Sequence, residues 1–186
     1  LKLSIIIPVY NEIRYLEKFT KKLTSAFNDQ NVEYIFVNDG SNDGSAEWLR
    51  KYTINNLSMS NKNSFLLIDL KKNTGKGFAL KKGLEVANGT HILFQDADLE
   101  LDPNDSREMY ELVINNPEMK VLFGSRFISG KLRAYRNFVN EVFVRLNSII
   151  FNILFRQSIT DLHCGTKIIA KEVIDTFKLT IKDFGF

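Results

Sequence analysis

The sequence contains a single cysteine, Cys164, among its 186 residues. An internal disulfide is therefore excluded, and a reducing compartment is the expected environment. The net charge is only +3, which argues against long nucleic acid as a partner. No run of about twenty residues is free of charge, so no transmembrane helix is predicted. The first residues enter a predicted strand at once and leave no room for a signal peptide. These absences predict a soluble or peripheral protein of the cytoplasm.

Length and composition predict one domain. A chain of 186 residues with 44% hydrophobic and 25% charged residues can form one well-buried core. No internal repeat and no low-complexity linker divides it, so we expect a single domain over residues 1–186. Local basic groups of the kind that suit phosphate-bearing ligands are Lys71, Lys72 and Lys76, followed by Lys131, Arg133 and Arg136.

Apolar strands and amphipathic helices alternate along most of the chain. Leu3–Val9 and Val32–Val37 are almost continuously apolar, which is typical of strands buried on both faces. Asn11 is predicted to cap the helix that follows the first strand. The alternation predicts a mostly parallel sheet with helices on both faces, and ligands of such sheets bind beyond the carboxyl ends of the strands. The polar loops expected there are 10–12, 38–41, 71–77, 96–100 and 124–127.

Two carboxylates one residue apart, Asp96 and Asp98, follow the predicted buried strand Ile92–Phe94. Carboxylate oxygens suit Mg²⁺ or Mn²⁺, whose coordination is completed by water and substrate phosphates. The functional interpretation is a divalent ion that holds a diphosphate. The alternative is a solvated acidic turn before a helix, with Asp98 or Asp102 as the N-cap.

A different segment follows Gly130. Residues 138–155 place apolar side chains at helical spacing over an unusually wide sector. Polar residues such as Glu141 and Arg145 make this segment unsuited to crossing a bilayer. The predicted helix could pack in the core, form a dimer face or lie in the surface of a membrane, and these alternatives stay open.

Six short motifs occur in order along nearly the whole chain: Val-Tyr-Asn-Glu at 9–12, Asn-Asp-Gly-Ser at 38–41, Gly-Lys-Gly at 75–77, Gln-Asp-Ala-Asp-Leu-Glu at 95–100, Gly-Ser-Arg-Phe at 124–127 and Asp-Leu-His-Cys-Gly-Thr-Lys at 161–167. Together they resemble the family 2 glycosyltransferases. Within that family the chain looks most like the dolichyl-phosphate mannose synthase-like enzymes, which move a sugar onto a polyprenyl phosphate.

The resemblance implies the GT-A fold, which combines a Rossmann-like nucleotide half with an acceptor half. We expect the nucleotide-sugar half at about residues 1–125 and the acceptor half at about residues 126–186. The family usually continues past the position of Phe186 into further acceptor-side helices. We therefore expect the acceptor half to be truncated at its C-terminal end.

For the donor, the resemblance implies a binding role at five positions. Pro8 and Tyr10 would lie along the nucleobase and ribose, where a ring can stack on the base. Glu12 and Asp39 would accept hydrogen bonds from ribose hydroxyls or base N–H groups, although Asp39 could instead cap a turn. Lys76, at a predicted helix start, would contact the diphosphate or flank it.

For the metal, the resemblance implies Mg²⁺ or Mn²⁺ at the Asp-x-Asp motif. Asp98 would coordinate the ion directly, whereas Asp96 would hold the ribose or a metal-bound water. Glu100 falls where this branch often carries a third metal-contacting residue, frequently Gln.

For the acceptor, the resemblance implies that Arg126, Arg133 and Arg136 supply positive charge for a phosphate, which guanidinium groups bind in a two-point fork. For Arg133 and Arg136 the alternative is a solvated basic face. Asp161 would orient the acceptor or serve as a base. Cys164 is expected to be a packing residue, because no activating base is evident beside it.

The sequence therefore predicts an inverting, metal-dependent transfer of a sugar from a nucleoside-diphosphate sugar, with UDP favoured over GDP. The expected acceptor is a polyprenyl (dolichyl or undecaprenyl) phosphate, used by a peripheral protein at the cytoplasmic face of the membrane. A homodimer is compatible with this prediction, and no nucleic acid is expected to bind. The alternatives are a soluble or polysaccharide hydroxyl acceptor, a nucleotidyltransferase, and a non-catalytic module that binds nucleotide sugars.

Overall fold

The computed structural model describes residues 1–57, 62–99, 101–125, 127 and 138–176, and of residues 57 and 138–141 it describes only the backbone. Five residues with predicted site roles or charge lie outside the described residues, and their roles stay predictions. These are Glu100, Arg126, Lys131, Arg133 and Arg136.

The described residues form strands and helices that alternate as the sequence predicts. In chain order they are β1 (Leu3–Val9), α1 (Ile13–Ala26), β2 (Val32–Asp39), α2 (Ser45–Leu57), β3 (Ser64–Leu70), α3 (Lys76–Val86), β4 (His91–Phe94), α4 (Pro103–Asn115), β5 (Val121–Phe123), α5 (Phe138–Phe155), β6 (Lys167–Ala170) and α6 (Lys171–Ile174).

The six strands form one sheet in the order β3-β2-β1-β4-β6-β5. The pairs β1–β2, β2–β3 and β1–β4 are parallel, so the prediction of a mostly parallel sheet is confirmed. β6 is antiparallel to both of its neighbours, β4 and β5. This strand is not predictable from the local sequence, because its four residues lie at the end of a polar motif and show no strand-length apolar run.

Helices cover both faces of the sheet, as predicted. Successive side chains of β1 alternate between two buried clusters: Ile5 and Ile7 pack in the cluster that includes residues of α1, α2 and α4. Ile6 packs in the other cluster, with Ala79 and Leu80 of α3. This alternation explains why β1 is apolar at nearly every position, since neither of its faces meets water.

The start of α1 differs from the prediction. Asn11 does not cap the helix; its backbone φ is +60°, and its Oδ1 accepts the N–H of Asn42 at 2.9 Å. The N-cap position belongs to Glu12, whose side chain makes no capping hydrogen bond. Instead, Asp43 from the loop after β2 accepts the N–H of Ile13 at 3.0 Å. The loops after β1 and β2 are therefore tied together by hydrogen bonds.

α5 exposes the broad apolar face that the sequence predicts. On this helix Val144 and Ser148 are buried, whereas most of the stripe is exposed among the described residues, so no core packing of the stripe is seen there and its role stays open. Among the described residues no helix is both long and apolar enough to cross a membrane. The exposed fractions on α5 are Val142 48%, Phe143 61%, Leu146 52%, Ile149 54%, Ile150 46%, Ile153 73%, Leu154 69% and Phe155 59%.

Candidate active site

A cleft of about 330 Å³ lies at the edge of the sheet where β1, β2, β3 and β4 end. Because these four strands are adjacent and run in the same direction, the loops that follow them converge there. The predicted donor and metal residues within the described part of the chain all line this cleft: Pro8, Tyr10, Glu12, Asp39, Lys76, Asp96 and Asp98.

Asp39, at the end of β2, is almost fully buried, with an exposed fraction of 3%. One carboxylate oxygen accepts the N–H of Thr74 at 2.8 Å, and the other accepts the N–H of Gly75 at 2.9 Å. Asp39 therefore holds the loop that leads into α3. A carboxylate can accept about four hydrogen bonds, so this structural role leaves capacity for a ligand at the same side chain.

Gly75 and Asn73 also line the cleft, although their residue types predict no site role. Gly75 has a φ of +102° and occupies the N-cap position of α3, a conformation that side-chain-bearing residues rarely adopt. Neither residue has the charge or ring that would mark it as a ligand contact. Both residues lie at the cleft because Asp39 holds this loop through its hydrogen bonds from Thr74 and Gly75.

Lys76, the first residue of α3, forms an ion pair with Asp96 after β4. Its Nζ lies 2.5 Å from Asp96 Oδ1, and the two side chains are 30% and 26% exposed. The pair sets a positive and a negative group side by side at the wall of the cleft. The helix start adds its own partial positive charge at this place. The same small region can therefore attract both a cation and an anion.

The chemistry of the Asp-x-Asp loop fits a divalent cation. Asp96 and Asp98 both line the cleft, and their oxygens are the hard donors that Mg²⁺ and Mn²⁺ prefer. No group of three or more His, Cys, Asp or Glu side chains suited to a metal occurs among the described residues. Two carboxylates with open positions are nevertheless the usual arrangement when water and substrate phosphates complete the coordination.

The capping alternative for this loop applies to Asp102 and not to Asp98. Asp102 is the N-cap of α4 and accepts the N–H of Asn104 at 3.1 Å. It also pairs with Lys22 of α1 at 3.1 Å. Asp98 instead faces the cleft. The two carboxylates of the loop, so close in sequence, therefore have different surroundings.

On the acceptor side, Asp161 does not line the cleft, and its exposed fraction is 0%. Its Oδ1 accepts the N–H of His163 at 3.2 Å within the turn that precedes β6. Cys164, in the same turn, is 1% exposed, as expected for a packing residue. This environment orders the turn but sets the Asp161 carboxylate back from the cleft.

Gly165, in the same turn, approaches the metal-binding loop closely. A Cβ at Gly165 would stand 2.5 Å from Asp96 Oδ2 and 3.6 Å from Lys76 Nζ. The acceptor-side motif therefore packs directly against the ion pair of the cleft. Sequence alone does not place these segments together, because about seventy residues separate Asp96 from Gly165.

The model of the family described as Glycosyl transferase family 2 matches residues 4–177. The chain belongs to glycosyltransferase family 2. Among curated relatives it is 28% identical to a dolichyl-phosphate beta-glucosyltransferase of Dictyostelium discoideum, over 91% of this chain and 54% of the relative. It is 30% identical to a poly-beta-1,6-N-acetyl-D-glucosamine synthase of Staphylococcus aureus, over 69% of this chain and 29% of the relative. The chain thus spans about half or less of the length of these relatives.

Solved glycosyltransferase structures confirm the predicted GT-A fold. The glucosyl-3-phosphoglycerate synthase from Mycobacterium tuberculosis, in complex with Mn²⁺, UDP and glucosyl-3-phosphoglycerate, aligns with a TM-score of 0.68 at 16% identity, over 95% of this chain and 59% of that one. A mannosyltransferase from Pyrobaculum calidifontis, in complex with GDP-Man and Mn²⁺, aligns with a TM-score of 0.64 at 16% identity, over 96% of this chain and 48% of that one.

Proposed function

We propose that this chain is the single catalytic domain of a glycosyltransferase that moves a sugar from a nucleoside-diphosphate sugar to a lipid phosphate, with inversion at the anomeric carbon. The observation that carries the proposal is one cleft that gathers Asp39, Lys76, Asp96 and Asp98. These residues are typical of a site for a nucleotide, a diphosphate and a divalent ion, and the chain belongs to a glycosyltransferase family.

The nucleoside would lie along the loops after β1 and β2. Tyr10 is 46% exposed, so its ring is accessible for stacking on a base beside Pro8. Glu12 and Asp39 would accept hydrogen bonds from the ribose or base, because carboxylates are strong acceptors for neutral donors. We favour uridine over guanosine; relatives of this fold have been solved with UDP and with GDP-Man.

The diphosphate would lie between the start of α3 and the Asp-x-Asp loop. Lys76 would donate to its oxygens, and Asp98 with Asp96 would hold Mg²⁺ or Mn²⁺. Mn²⁺ accompanies the nucleotide in the solved relatives named above. A bound ion would neutralise negative charge on the diphosphate. Glu100, outside the described residues, remains a predicted third contact.

The reaction requires stabilisation of the diphosphate as the glycosidic bond breaks and the acceptor oxygen attacks from the opposite face. Lys76 would supply positive charge at the leaving group, where charge develops in the transition state. A phosphate acceptor is ionised near neutral pH and needs no strong base, whereas a hydroxyl acceptor needs one. The buried position of Asp161, away from the cleft, favours an acceptor that carries its own charge and gives Asp161 a positioning role.

The exposed apolar face of α5 supports a lipid acceptor. α5 carries Arg145 as well as Glu141, and Arg156 follows its last residue, so the segment combines exposed apolar side chains with a small excess of positive charge. Such helices lie in the headgroup region of anionic membranes. Arg126, Arg133 and Arg136 precede it in sequence and are proposed to bind the acceptor phosphate. The similarity to dolichyl-phosphate beta-glucosyltransferases supports a lipid phosphate as the acceptor, and we propose that the protein works at the cytoplasmic face of a membrane.

A hydroxyl acceptor is the second candidate, since the chain is also similar to a poly-beta-1,6-N-acetyl-D-glucosamine synthase. The decisive experiment supplies the full-length protein with UDP-glucose or GDP-mannose, with Mn²⁺, and with either a short prenyl phosphate or an oligosaccharide. The proposal expects transfer to the prenyl phosphate. Transfer only to the oligosaccharide would overturn the acceptor assignment, and failure to bind any nucleoside diphosphate would overturn the function.

A further inference from the structure

Lys167 is the first residue of β6, and the direction of this strand decides where it lies. β1 to β4 run parallel to one another and end at the cleft. β6 is antiparallel to β4, and its pairing places Lys167 opposite Phe94, the last residue of β4. A reversed strand begins where its neighbours end. Lys167 therefore lies at the same edge of the sheet as the cleft, close to the start of the Asp-x-Asp loop.

The side chain of Lys167 is on the same face of the sheet as α3. Side chains alternate along a strand, so Lys167 shares a face with Ile169, which packs against the cluster built on α3. Its Nζ lies 5.5 Å from the centre of the Phe123 ring. Since α3 begins with Lys76, the two lysines lie on the same face and at the same end of the sheet.

Two of the charges that act on Lys167, those of Lys76 and Asp96, belong to residues that line the cleft. Burial lowers the pKa of Lys167 and the charge of Lys76 lowers it further, whereas Cys164, Asp96 and Asp161 raise it. The turn before it brings Gly165 against Asp96 and Lys76. Partly buried positive charges that also repel each other are stabilised by an anion. A phosphate group beside Asp96 would be such an anion.

We propose that Lys167, which lies beside the cleft and not among the residues that line it, is a second phosphate-binding cation and acts together with Lys76 on a phosphate group beside Asp96. The inference rests on the proposed function and adds a residue to the site. The phosphate could belong to the donor diphosphate or to the lipid acceptor, because both present the same anionic oxygens to an ammonium group.

The test compares Lys167→Gln with Lys167→Arg, which keeps the positive charge. The matched control is Lys120→Gln: Lys120 precedes the neighbouring strand β5 at the opposite edge of the sheet, and its side chain is 48% exposed in a pair with Glu172. Calorimetry with UDP and Mn²⁺ probes the donor phosphates, and calorimetry with farnesyl phosphate probes the acceptor phosphate. Inorganic pyrophosphate serves as a probe that needs neither a base nor a lipid.

Loss of one charge-assisted hydrogen bond is expected to weaken binding of pyrophosphate, and of the ligand that carries the relevant phosphate, by about tenfold. Lys167→Arg should restore most of the affinity, and Lys120→Gln should match the wild type. A lower affinity for UDP would mean that Lys167 binds the donor phosphates. A lower affinity for farnesyl phosphate would mean that it binds the acceptor phosphate.

Unchanged affinity of a folded Lys167→Gln variant for all three probes would overturn the role of Lys167 and leave the proposed function intact. Loss of the native far-ultraviolet circular dichroism spectrum in Lys167→Gln, without rescue by arginine, would also count against it, because it would mark a packing role. If the wild type bound neither UDP nor farnesyl phosphate, the proposed function itself would fail.

Discussion

Lys76 Nζ lies 2.5 Å from Asp96 Oδ1, and the two residues reach this contact from the start of a helix and the end of a strand. Because each side chain keeps more than a quarter of its surface exposed, the pair stabilises the fold by less than about 1 kcal/mol. Its significance is its position at the wall of the cleft. Each partner carries the charge that would bind one component of a metal–diphosphate ligand.

Lys76→Gln is therefore expected to affect binding far more than folding. The affinity for a nucleoside diphosphate with Mn²⁺ should fall by about tenfold, since a charge-assisted hydrogen bond to phosphate is lost. The free energy of unfolding should change by less than about 1 kcal/mol. Calorimetry and urea unfolding measure the two quantities. Lys82→Gln, on the same helix and paired with Glu85 at the surface, is the control. Equal affinities in both variants would contradict the role of Lys76.

Asp98→Ala should abolish the part of nucleotide binding that depends on metal. UDP with Mn²⁺ should raise the melting temperature of the wild type, because a ligand that binds only the folded state stabilises it. In the variant, Mn²⁺ should add nothing to the effect of UDP. Thermal unfolding with UDP alone, Mn²⁺ alone and both together makes the comparison. Asp105→Ala, at an exposed position on α4, should behave as the wild type; a full Mn²⁺ effect in Asp98→Ala would refute the metal assignment.

Asp39→Ala should destabilise the fold by about 2 kcal/mol, because the N–H groups of Thr74 and Gly75 would lose their acceptors. Asp39→Asn keeps one carbonyl oxygen as an acceptor and should lower the free energy of unfolding by less. Urea unfolding measures both values, with Glu17→Gln at an exposed position of α1 as the control. A stability equal to that of the wild type in Asp39→Ala would show that the hydrogen bonds of Asp39 do not hold this loop.

Glu33 should make stability depend on pH. Burial alone would raise its pKa, but hydrogen bonds from Asn88 N–H and the Ser4 hydroxyl outweigh burial and hold the pKa below its ordinary value of 4.5. The stabilising contribution of the carboxylate is therefore fully present above pH 4.5, its ordinary pKa. This contribution is lost as the pH falls through the lower pKa of the folded state. Unfolding of wild type and Glu33→Gln on both sides of that pH should give a difference that shrinks under acid. A difference independent of pH would contradict this account.

The exposed face of α5 should bind anionic membranes. Sedimentation with phosphatidylglycerol vesicles is expected for the wild type, less so at high salt, because apolar burial and charge attraction act together. Ile149→Glu with Ile153→Glu should abolish it without unfolding the protein, since these side chains are 54% and 73% exposed. Ile54→Glu, at a 65% exposed position on α2, is the control. A concentration-dependent dimer that ignores vesicles would establish the alternative, a face between two copies.

The parts of the site that local sequence predicts are those that follow strands. Tyr10, Asp39 and Asp96 each follow or end an apolar strand of the parallel part of the sheet. The carboxyl ends of adjacent parallel strands meet at one edge whatever the details of packing. Their convergence in one cleft could thus be predicted before any distance was known.

Other features depend on partners distant in the chain. Asp43, and not Asn11, accepts an N–H at the start of α1, because the loop after β2 folds back onto that helix. The exposure of the α5 stripe also cannot be predicted from the helical spacing of its apolar residues, since that spacing shows which residues share a face but not what covers the face.

The sequence by itself determined the alternation of strands and helices, the mostly parallel sheet and the chemistry of the donor-side loops, because these follow from local patterns and from the geometry of parallel strands. Only the tertiary structure decided that β6 runs in reverse, which brings Gly165 against Asp96 and Lys167 to the edge of the cleft. Strand direction depends on which neighbour offers its backbone hydrogen bonds, and four residues of sequence do not encode that choice.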